Sequence, residues 1–477
     1  MASGACSRVA LMGAGVLGVL IAGGCATVGP DHQAPETKAE AQFANALDPS
    51  FDQQEPIAEF WKLFGDPALE RLIVDALAAN HDIRIADARL QESRGVRRDA
   101  EGERFPTVTA NTGYTLQQFS TAEFPGSRSD RNRDSFFARL EPFWEIDFFG
   151  RVRRSIEARV AELGAAEAGL YAAQVAVAGE LARTYFELRG LQRALAVAKE
   201  NAGNQRDTVE LVVARQAAGR GIELDTLRAQ GQLESTLALI PSFEERVARA
   251  IYRISVLTGR PPNALTTQLA PQQSLPSLPV LASIGTPEQL LRRRPDIRIA
   301  ERQLAAATAR IGVATGDLFP RVIISGRVGF QARMLTNLVE TDSVSYSFGP
   351  SIQWAAFDLA RVRARIGIQE SRAAAALAQY EQTVLRALEE TEGALVAYAR
   401  SRQREAGLRR AASASEGAVK LARLRFEGGV SDFLTVLDAE RRQLQDQDQL
   451  AQSEMTTATA LVAVYKSLGG GWKLIAE

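Results

Sequence analysis

Few side chains in this sequence could carry covalent, metal or acid–base chemistry. Among 477 residues there are two cysteines, Cys6 and Cys25, and two histidines, His32 and His81. Two of each is too few for a zinc cluster or a disulfide framework. Neither histidine has a Ser, Cys or carboxylate at the spacing of a triad or dyad, so both read as plain polar residues. Glu389, Glu390 and Glu392 crowd one helical stretch, but a solvated helix face accounts for them. Gly428-Gly429 follow no strand and open no dinucleotide-binding unit, which leaves phosphate cradling unsupported. No catalytic, cofactor or metal site is expected, and the chain does not read as an enzyme. Lys+Arg number 56 and Asp+Glu 57, a net charge of −1, so the electrostatic footprint of a nucleic-acid binder is missing.

The exception is Cys25. Arg8 precedes an apolar run, Val9 to Ala22, that is too short to span a bilayer comfortably. The run ends in Ala22-Gly23-Gly24-Cys25. Small residues before a cysteine resemble a bacterial lipobox, with Ala22 and then Ile21 where the pattern usually has Leu. The resemblance implies that residues 1–24 are a lipoprotein signal peptide. It also implies that the Cys25 thiol takes a diacylglycerol and its freed amino group a further acyl chain such as palmitate. An ordinary signal peptide cut near Cys25 is the alternative. Ala26 follows, not Asp, which implies sorting to the outer membrane. Cys6 leaves with the signal, so the mature chain has no free thiol and no disulfide in an oxidising compartment. After residue 24 no run of ~18 apolar residues occurs. A mature chain that crosses a membrane must therefore do so with β-strands.

The chain repeats itself. Asp82-Ile83-Arg84-Ile85-Ala86 returns as Asp296-Ile297-Arg298-Ile299-Ala300, and Phe105-Pro106 as Phe319-Pro320, both 214 residues on. Trp144 returns as Trp354, Arg151-Val152-Arg153 as Arg361-Val362-Arg363, and Arg215 with Gly219 as Arg425 with Gly429, all 210 residues on. Anchors in the same order at nearly one offset predict a tandem duplication. The predicted plan is an N-terminal tether (25–60), a first repeat (61–260), a proline-rich connector (261–295) and a second repeat (296–477). The two repeats are expected to form one intertwined domain.

Each repeat begins with a short helix and a pair of alternating strands. After Pro106, Val108, Ala110, Thr112, Tyr114 and Leu116 share one face, with Thr and Asn on the other. The partner strand sets Phe136, Ala138, Leu140, Pro142, Trp144 and Ile146 against Ser135, Arg139, Glu141, Glu145 and Asp147. The second repeat sets Val322, Ile324, Val328 and Phe330, then Val344, Tyr346, Phe348, Ile352 and Trp354, against Arg, Ser and Gln. Period two over such lengths predicts strands. A charged face opposite an apolar face that ends in Trp suits a transmembrane β-barrel, with Trp144 and Trp354 as membrane-interface aromatics. Four strands cannot close a barrel and would leave two open edges in lipid. Several copies must then contribute strands to one barrel.

A long helical hairpin follows each strand pair. No proline falls between Pro142 and Pro241 or after Pro350, and interior proline breaks helices. Gly150 to Gly219 could span ~105 Å as one helix. Leu170, Val177, Leu181, Leu188 and Leu195 form a coiled-coil stripe, as do Leu377, Tyr380, Val384, Leu388, Leu395 and Tyr398.

Together these features resemble the outer-membrane factor family, the TolC-like exit ducts of tripartite efflux pumps, in its lipoprotein branch. The residues that carry the likeness run the length of the mature chain. They are Cys25, Gly29-Pro30-Asp31-His32, and Trp61-x-x-Phe64-x-Asp66-Pro67-x-Leu69. Next come Asp82-Ile83-Arg84 leading to Phe105-Pro106, then Trp144-Glu145-Ile146-Asp147-Phe148-Phe149-Gly150-Arg151. Gly428-Gly429-Val430-Ser431-Asp432-Phe433-Leu434-Thr435-Val436-Leu437-Asp438-Ala439 comes last. Phe426, where the family usually has Tyr, and Phe357-Asp358-Leu359-Ala360, where a Gly is common, depart from it.

The resemblance implies a mainly α fold with a transmembrane β-barrel. Four membrane strands per protomer would close as a twelve-stranded homotrimer below a long periplasmic α-helical coiled-coil barrel. It implies an outer-membrane channel that passes small molecules, anchored by lipid on the periplasmic side. Its partners would be a periplasmic adaptor (membrane fusion) protein, an inner-membrane transporter of the resistance-nodulation-division type, and outer-membrane lipid. It also carries a channel gate onto Leu434 and Asp438: an apolar ring and a carboxylate ring at the periplasmic tip. A periplasmic coiled-coil scaffold lipoprotein without channel activity is the rival reading.

Overall fold

Helix and strand boundaries fall where capping and turn chemistry place them. The computed structural model describes residues 27–36, 40–122 and 132–472. Cys25 and the export segment 1–24 lie outside the described residues. The first repeat supplies α1 (Pro67–Ala79), α2 (His81–Gly102), β2 (Thr107–Gln118), β3 (Asn132–Ile146), α3 (Arg151–Ala217), α4 (Glu223–Leu237) and α5 (Ile240–Leu257). Ahead of it lies β1 (Phe51–Asp52). The connector holds α6 (Thr266–Leu269), β4 (Ala282–Ser283) and α7 (Pro287–Arg293). The second repeat supplies α8 (Pro295–Gly316), β5 (Arg321–Ala332), β6 (Val344–Gln353), α9 (Leu359–Glu427) and α10 (Phe433–Ser467).

Asp66 caps α1 by accepting the Ala68 and Leu69 amides at 2.8 and 3.1 Å, with Pro67 in the first turn. Thr286 and Gln289 close a capping box on α7. The proline-free stretches become the 67-residue α3 and the 69-residue α9. The return limbs differ between repeats. Pro241, which lacks an amide proton, accompanies the break between α4 and α5, whereas α10 runs unbroken for 35 residues.

The chain forms two compact units. The first comprises Met1–Pro35, Leu90–Ala166 and Ala300–Tyr380; the second comprises Glu36–Arg89, Glu167–Ile299 and Glu381–Glu477. Helices α2, α3, α8 and α9 contribute residues to both. Among the described residues no helix is long and apolar enough to cross a membrane.

The first unit holds one antiparallel sheet of order β2-β3-β5-β6, so the two repeats join at its centre through β3 and β5. Residues directly opposite one another share a face. Ala110, Leu140, Val328 and Tyr346 therefore make one apolar row across all four strands. The β3–β5 ladder lapses at Glu141 and Pro142, because Pro142 has no amide to donate. The expected alternation is broken at several positions, among them Asp134 on the apolar face opposite Leu116. Phe137, Phe143 and Ile323 sit on the otherwise polar face. Phe137 lies over Gly113, where a Cβ would come within 2.8 Å of its ring, and the Arg139 guanidinium packs on the ring at 4.4 Å. An aromatic that covers a strand glycine breaks the binary pattern for a local packing reason.

The second unit is helical, with a short parallel pairing of Phe51 with Ala282 and Asp52 with Ser283. Its core holds Leu181, Phe186, Leu188 and Tyr398, and Phe60 stacked on Tyr465 at 5.5 Å. Of the two predicted stripes, Val177, Leu181, Leu188, Tyr380, Val384, Leu395 and Tyr398 are buried, and Leu377 is exposed. Tyr185 is buried, which pushes its hydroxyl up to about 12, and the neutral phenol donates to Asp66 at 2.6 Å. The duplication extends to single hydrogen bonds. The Asn80 side chain donates to the Leu257 carbonyl at 2.9 Å, and Arg294, 214 residues on, donates to the Ser467 carbonyl at 2.8 Å. Glu390 completes the Arg294 site at 2.7 Å, and Glu392 accepts from the Ala44 amide and the Asn45 side chain. The acids expected as a solvated face thus hold segments distant in sequence, a role invisible without the fold.

Close helix packing in the second unit yields a paired test. A Cβ on Gly190 of α3 would lie 2.5 Å from the Met455 Cβ of α10, whereas one on Gly203 meets nothing within 4 Å. Gly190→Ala is expected to lower stability by ~1–3 kcal/mol through overpacking. Gly203→Ala is expected to raise it by up to ~1 kcal/mol through helix propensity. Thermal unfolding of both variants reads the opposite signs.

Candidate functional site

Two regions gather the residues singled out in the sequence. The first is the rim of the sheet in the first unit, where strands give way to helices. Trp144 lies near the end of β3 and Trp354 just after β6. The indole of Trp144 donates to the Arg104 carbonyl at 3.0 Å, and that of Trp354 to the Leu318 carbonyl at 3.0 Å. The acceptors are 214 residues apart and the donors 210, so each repeat builds the same brace between its strand pair and the turn before Phe-Pro. Trp354 is still 54% exposed. An indole held by its N–H with its ring outward suits an interface that is wet on one side and apolar on the other.

The rim also starts the long helix. Asp147 accepts the Val152 and Arg153 amides at 3.1 and 3.0 Å, capping α3. Glu145 holds Arg151 through two hydrogen bonds of 2.8 and 2.7 Å. His32 has a carboxylate partner after all: its Nε2 lies 2.7 Å from Glu301 Oε1. The partner is 269 residues away, beyond any spacing rule. His81 lies 3.4 Å from Arg84.

The second region is the turn of each long hairpin, in the second unit. Gly219 and Gly429 both take positive φ, +76° and +73°. The Arg220 amide donates to the Arg215 carbonyl at 2.8 Å, and the Val430 amide to the Arg425 carbonyl at 2.9 Å. Both are Schellman turns, which need a left-handed residue that only glycine adopts freely. Between them Val212, Ala229, Ala422, Phe426, Phe433, Val436 and Leu437 form one apolar cluster from α3, α4, α9 and α10. Arg215 ties the two turns: it donates to the Phe426 carbonyl at 2.7 Å and lies 4.4 Å over the Phe426 ring. The ring needs no hydroxyl for this contact. Asp432 caps α10 through Thr435, and those hydrogen bonds hold its carboxyl below the usual carboxylate range.

Leu434 and Asp438 lie one turn apart on the first stretch of α10. Phe433, Val436, Leu437 and Glu440 turn into the chain's own core, while Leu434 is 42% exposed and Asp438 is exposed. Behind them the Glu440 carboxylate, 4% exposed, accepts from Arg423 at 2.6 Å and from Thr208 at 2.8 Å. That contact joins α9, α10 and α3, and periodicity alone gives no sign of it. Among the described residues no group of three or more His, Cys, Asp or Glu could hold a metal ion.

The family described as outer membrane efflux protein matches the chain twice, over residues 72–260 and 286–470. The chain belongs to the outer membrane efflux protein family. Its members are transport ducts of the outer membrane, not enzymes. Nodulation protein T of Rhizobium leguminosarum bv. trifolii is 29% identical over 463 residues, covering 96% of this chain and 97% of that one. Outer membrane protein OprJ of Pseudomonas aeruginosa is 32% identical over 413 residues, 86% of each. The structure of the outer-membrane channel OprN superposes with a TM-score of 0.88 at 43% identity, covering 94% of this chain and 99% of that one. The open state of the Neisseria gonorrhoeae MtrE outer membrane channel superposes at 0.80 with 28% identity, covering 93% and 98%.

The Arg215 tie generates a local prediction. Arg215→Ala removes a charge-assisted hydrogen bond and a cation–π contact, together ~2–3 kcal/mol where partly shielded. Limited proteolysis is expected to cut between residues 218 and 223 faster than in the parent, with far-UV circular dichroism unchanged. Equal cleavage rates would show that the glycine turns hold without the tie.

Proposed function

We propose that three copies of this chain close the sheet of the first unit into one twelve-stranded barrel and act as the outer-membrane exit duct of a tripartite efflux pump. The observation that carries this is the sheet itself. Its apolar rows reach both edges, Tyr346 on β6 is 77% exposed, and among the described residues β2 and β6 each pair on one side only. Every neighbouring pair is antiparallel, so β2 and β6 run in opposite directions. Copies placed head to tail therefore continue the antiparallel ladder and close it with no edge left. An unpaired backbone group in lipid costs several kcal/mol, which disfavours a lone inserted copy. A scaffold without a channel has no use for four strands that are apolar on the same face.

The same reading gives roles to the remaining residues. Cys25 carries the lipid anchor, and Trp144 and Trp354 sit at the membrane interface. Leu434 and Asp438, exposed on their own chain, face the threefold axis at the periplasmic tip. Three leucines exclude water and ions; three carboxylates near the mouth favour cations and repel one another. A periplasmic adaptor grips the helical end and links it to an inner-membrane transporter of the resistance-nodulation-division type. Small molecules are the cargo.

Three measurements test this. Native mass spectrometry from detergent is expected to find trimers, and a stable inserted monomer would sink the barrel. Mass spectrometry of the mature N-terminal peptide is expected to find Cys25 acylated, and a bare thiol would remove the anchor. Leu434→Ala with Asp438→Ala is expected to leave the trimer folded but raise planar-bilayer conductance and admit bulky antibiotics to cells. Parental conductance and sensitivity in a well-formed trimer would make the two residues structural.

A further inference from the structure

The stretch just after Cys25 is seated in the first unit with unusual specificity. The Val28 amide donates to the Phe149 carbonyl at 3.2 Å. Arg154 of α3, only 3% exposed, donates to the Val28 carbonyl at 3.0 Å, the Gly29 carbonyl at 3.1 Å and Asp31 at 2.7 Å. Its remaining nitrogen bonds Glu157 at 2.7 Å. Three glycines form the seat. A Cβ on Gly29 would lie 2.4 Å from the Gly312 Cα of α8, one on Gly312 would lie 2.7 Å from the Arg154 side chain, and one on Gly150 would lie 2.7 Å from Thr27. His32 closes the far end on Glu301. The strap thus crosses α3 and α8, one helix from each repeat, with no space for a side chain beneath it.

We infer that Arg154 is a positioning residue for the lipid anchor: it clamps the strap Thr27–His32 so that the acylated end is delivered to the sheet rim at a fixed place. The inference rests on the acylation of Cys25. Cys25 precedes Thr27 by two residues, so the two Cα atoms are within about 7 Å. Thr27 packs on Gly150, four residues past the end of β3, beside the stacked rings of Phe149 and Phe319. The rim that carries the Trp144 and Trp354 braces is therefore also where the lipid chains enter. Lipid and indoles address the same leaflet, and neither can slide in depth without the other. A loose tether of several residues would leave the acyl chains free to insert anywhere within its reach. A guanidinium suits the task, because a planar fork can bond three strap acceptors at once, whereas an ammonium is a point donor.

With Cys25 acylated, Val28→Cys offers a single labelling site next to the clamp. A nitroxide there, in trimers reconstituted in nanodiscs, is expected to be immobilised at one depth, read from its line shape and its accessibility to oxygen against a nickel chelate. Adding Arg154→Met should shorten its rotational correlation time severalfold and broaden its depth, while trimer mass and channel conductance stay parental. Arg154→Lys should fall between the two. If Arg154→Met does not assemble, Gly29→Ala unseats the strap from its own side and leaves both helices unchanged. A label that stays immobile at the parental depth in trimers of either variant overturns the clamp. Mass spectrometry of the N-terminal peptide, run on the same samples, separates the readings. An unacylated Cys25 with an immobile label defeats the lipid role of the clamp; an acylated Cys25 with a label unmoved by the variants defeats Arg154.

Discussion

The backbone amides and carbonyls along β2 and β6 constrain everything else in this protein. In water such edges are tolerable; in hydrocarbon each unpaired group costs several kcal/mol. The sheet is ill suited to water as well, because Val108, Leu140, Val328, Tyr346 and Phe348 present an exposed apolar face. In the proposed assembly an even number of antiparallel strands resolves both demands at once, since the last strand of one copy would be oriented to pair with the first of the next. The duplication supplies that even number. Two strands per repeat, joined at β3 and β5, make a four-stranded arc whose ends are complementary by direction.

Duplication also explains why so much of the architecture rests on paired devices. The Trp braces, the Asn80 and Arg294 bonds to helix-end carbonyls and the two glycine turns each occur once per repeat. The repeats diverge in their return limbs. Pro241 breaks the return limb of the first hairpin, while the second runs straight into the segment that bears Leu434 and Asp438. The rim differs too: Asp147 and Glu145 lock the start of α3 by hydrogen bonds to Arg151, Val152 and Arg153, whereas Asp358 holds Arg361 at 3.3 Å on an exposed surface.

Periodic features were legible in the sequence because they follow from chain geometry. Period two located the strands and their faces, the missing prolines located α3 and α9, and the offsets of 214 and 210 exposed the repeat. Contacts set by tertiary approach were not. Phe137 breaks the polar face because Gly113 lies under it, and nothing local announces that pairing. Glu390 and Glu392 looked like solvent-facing acids until Arg294 and the Ala44–Asn45 turn met them. Arg154 is one of many arginines, and its importance appears only when Gly29, Gly150 and Gly312 are seen to converge on one strap. The turn glycines were readable in kind, but the Arg215 tie between two turns 210 residues apart was not.

The tip raises a problem that apolar packing alone does not solve. An antiparallel helix pair with a uniform apolar seam can slip by a heptad at little cost, and a slip of seven residues would shift Leu434 by ~10 Å along the axis. The seam between α3 and α10 is not uniform. Asn201 donates to Gln447 at 2.7 Å, and Thr208 donates to Glu440 at 2.8 Å. The pairs are seven residues apart on each helix, so a one-heptad slip would break both and set one member of each against a residue outside the pairs. Polar groups at core positions specify register at some cost in stability. Arg423 adds a charge-assisted bond at the pair nearer the turn, in the layer adjoining the Phe426–Phe433 cluster. The stretch leading to Leu434 therefore gives up some packing energy to fix axial position. On the proposal that Leu434 forms a threefold ring, fixed axial position matters more than added stability, since three leucines would exclude water only when they lie in one plane.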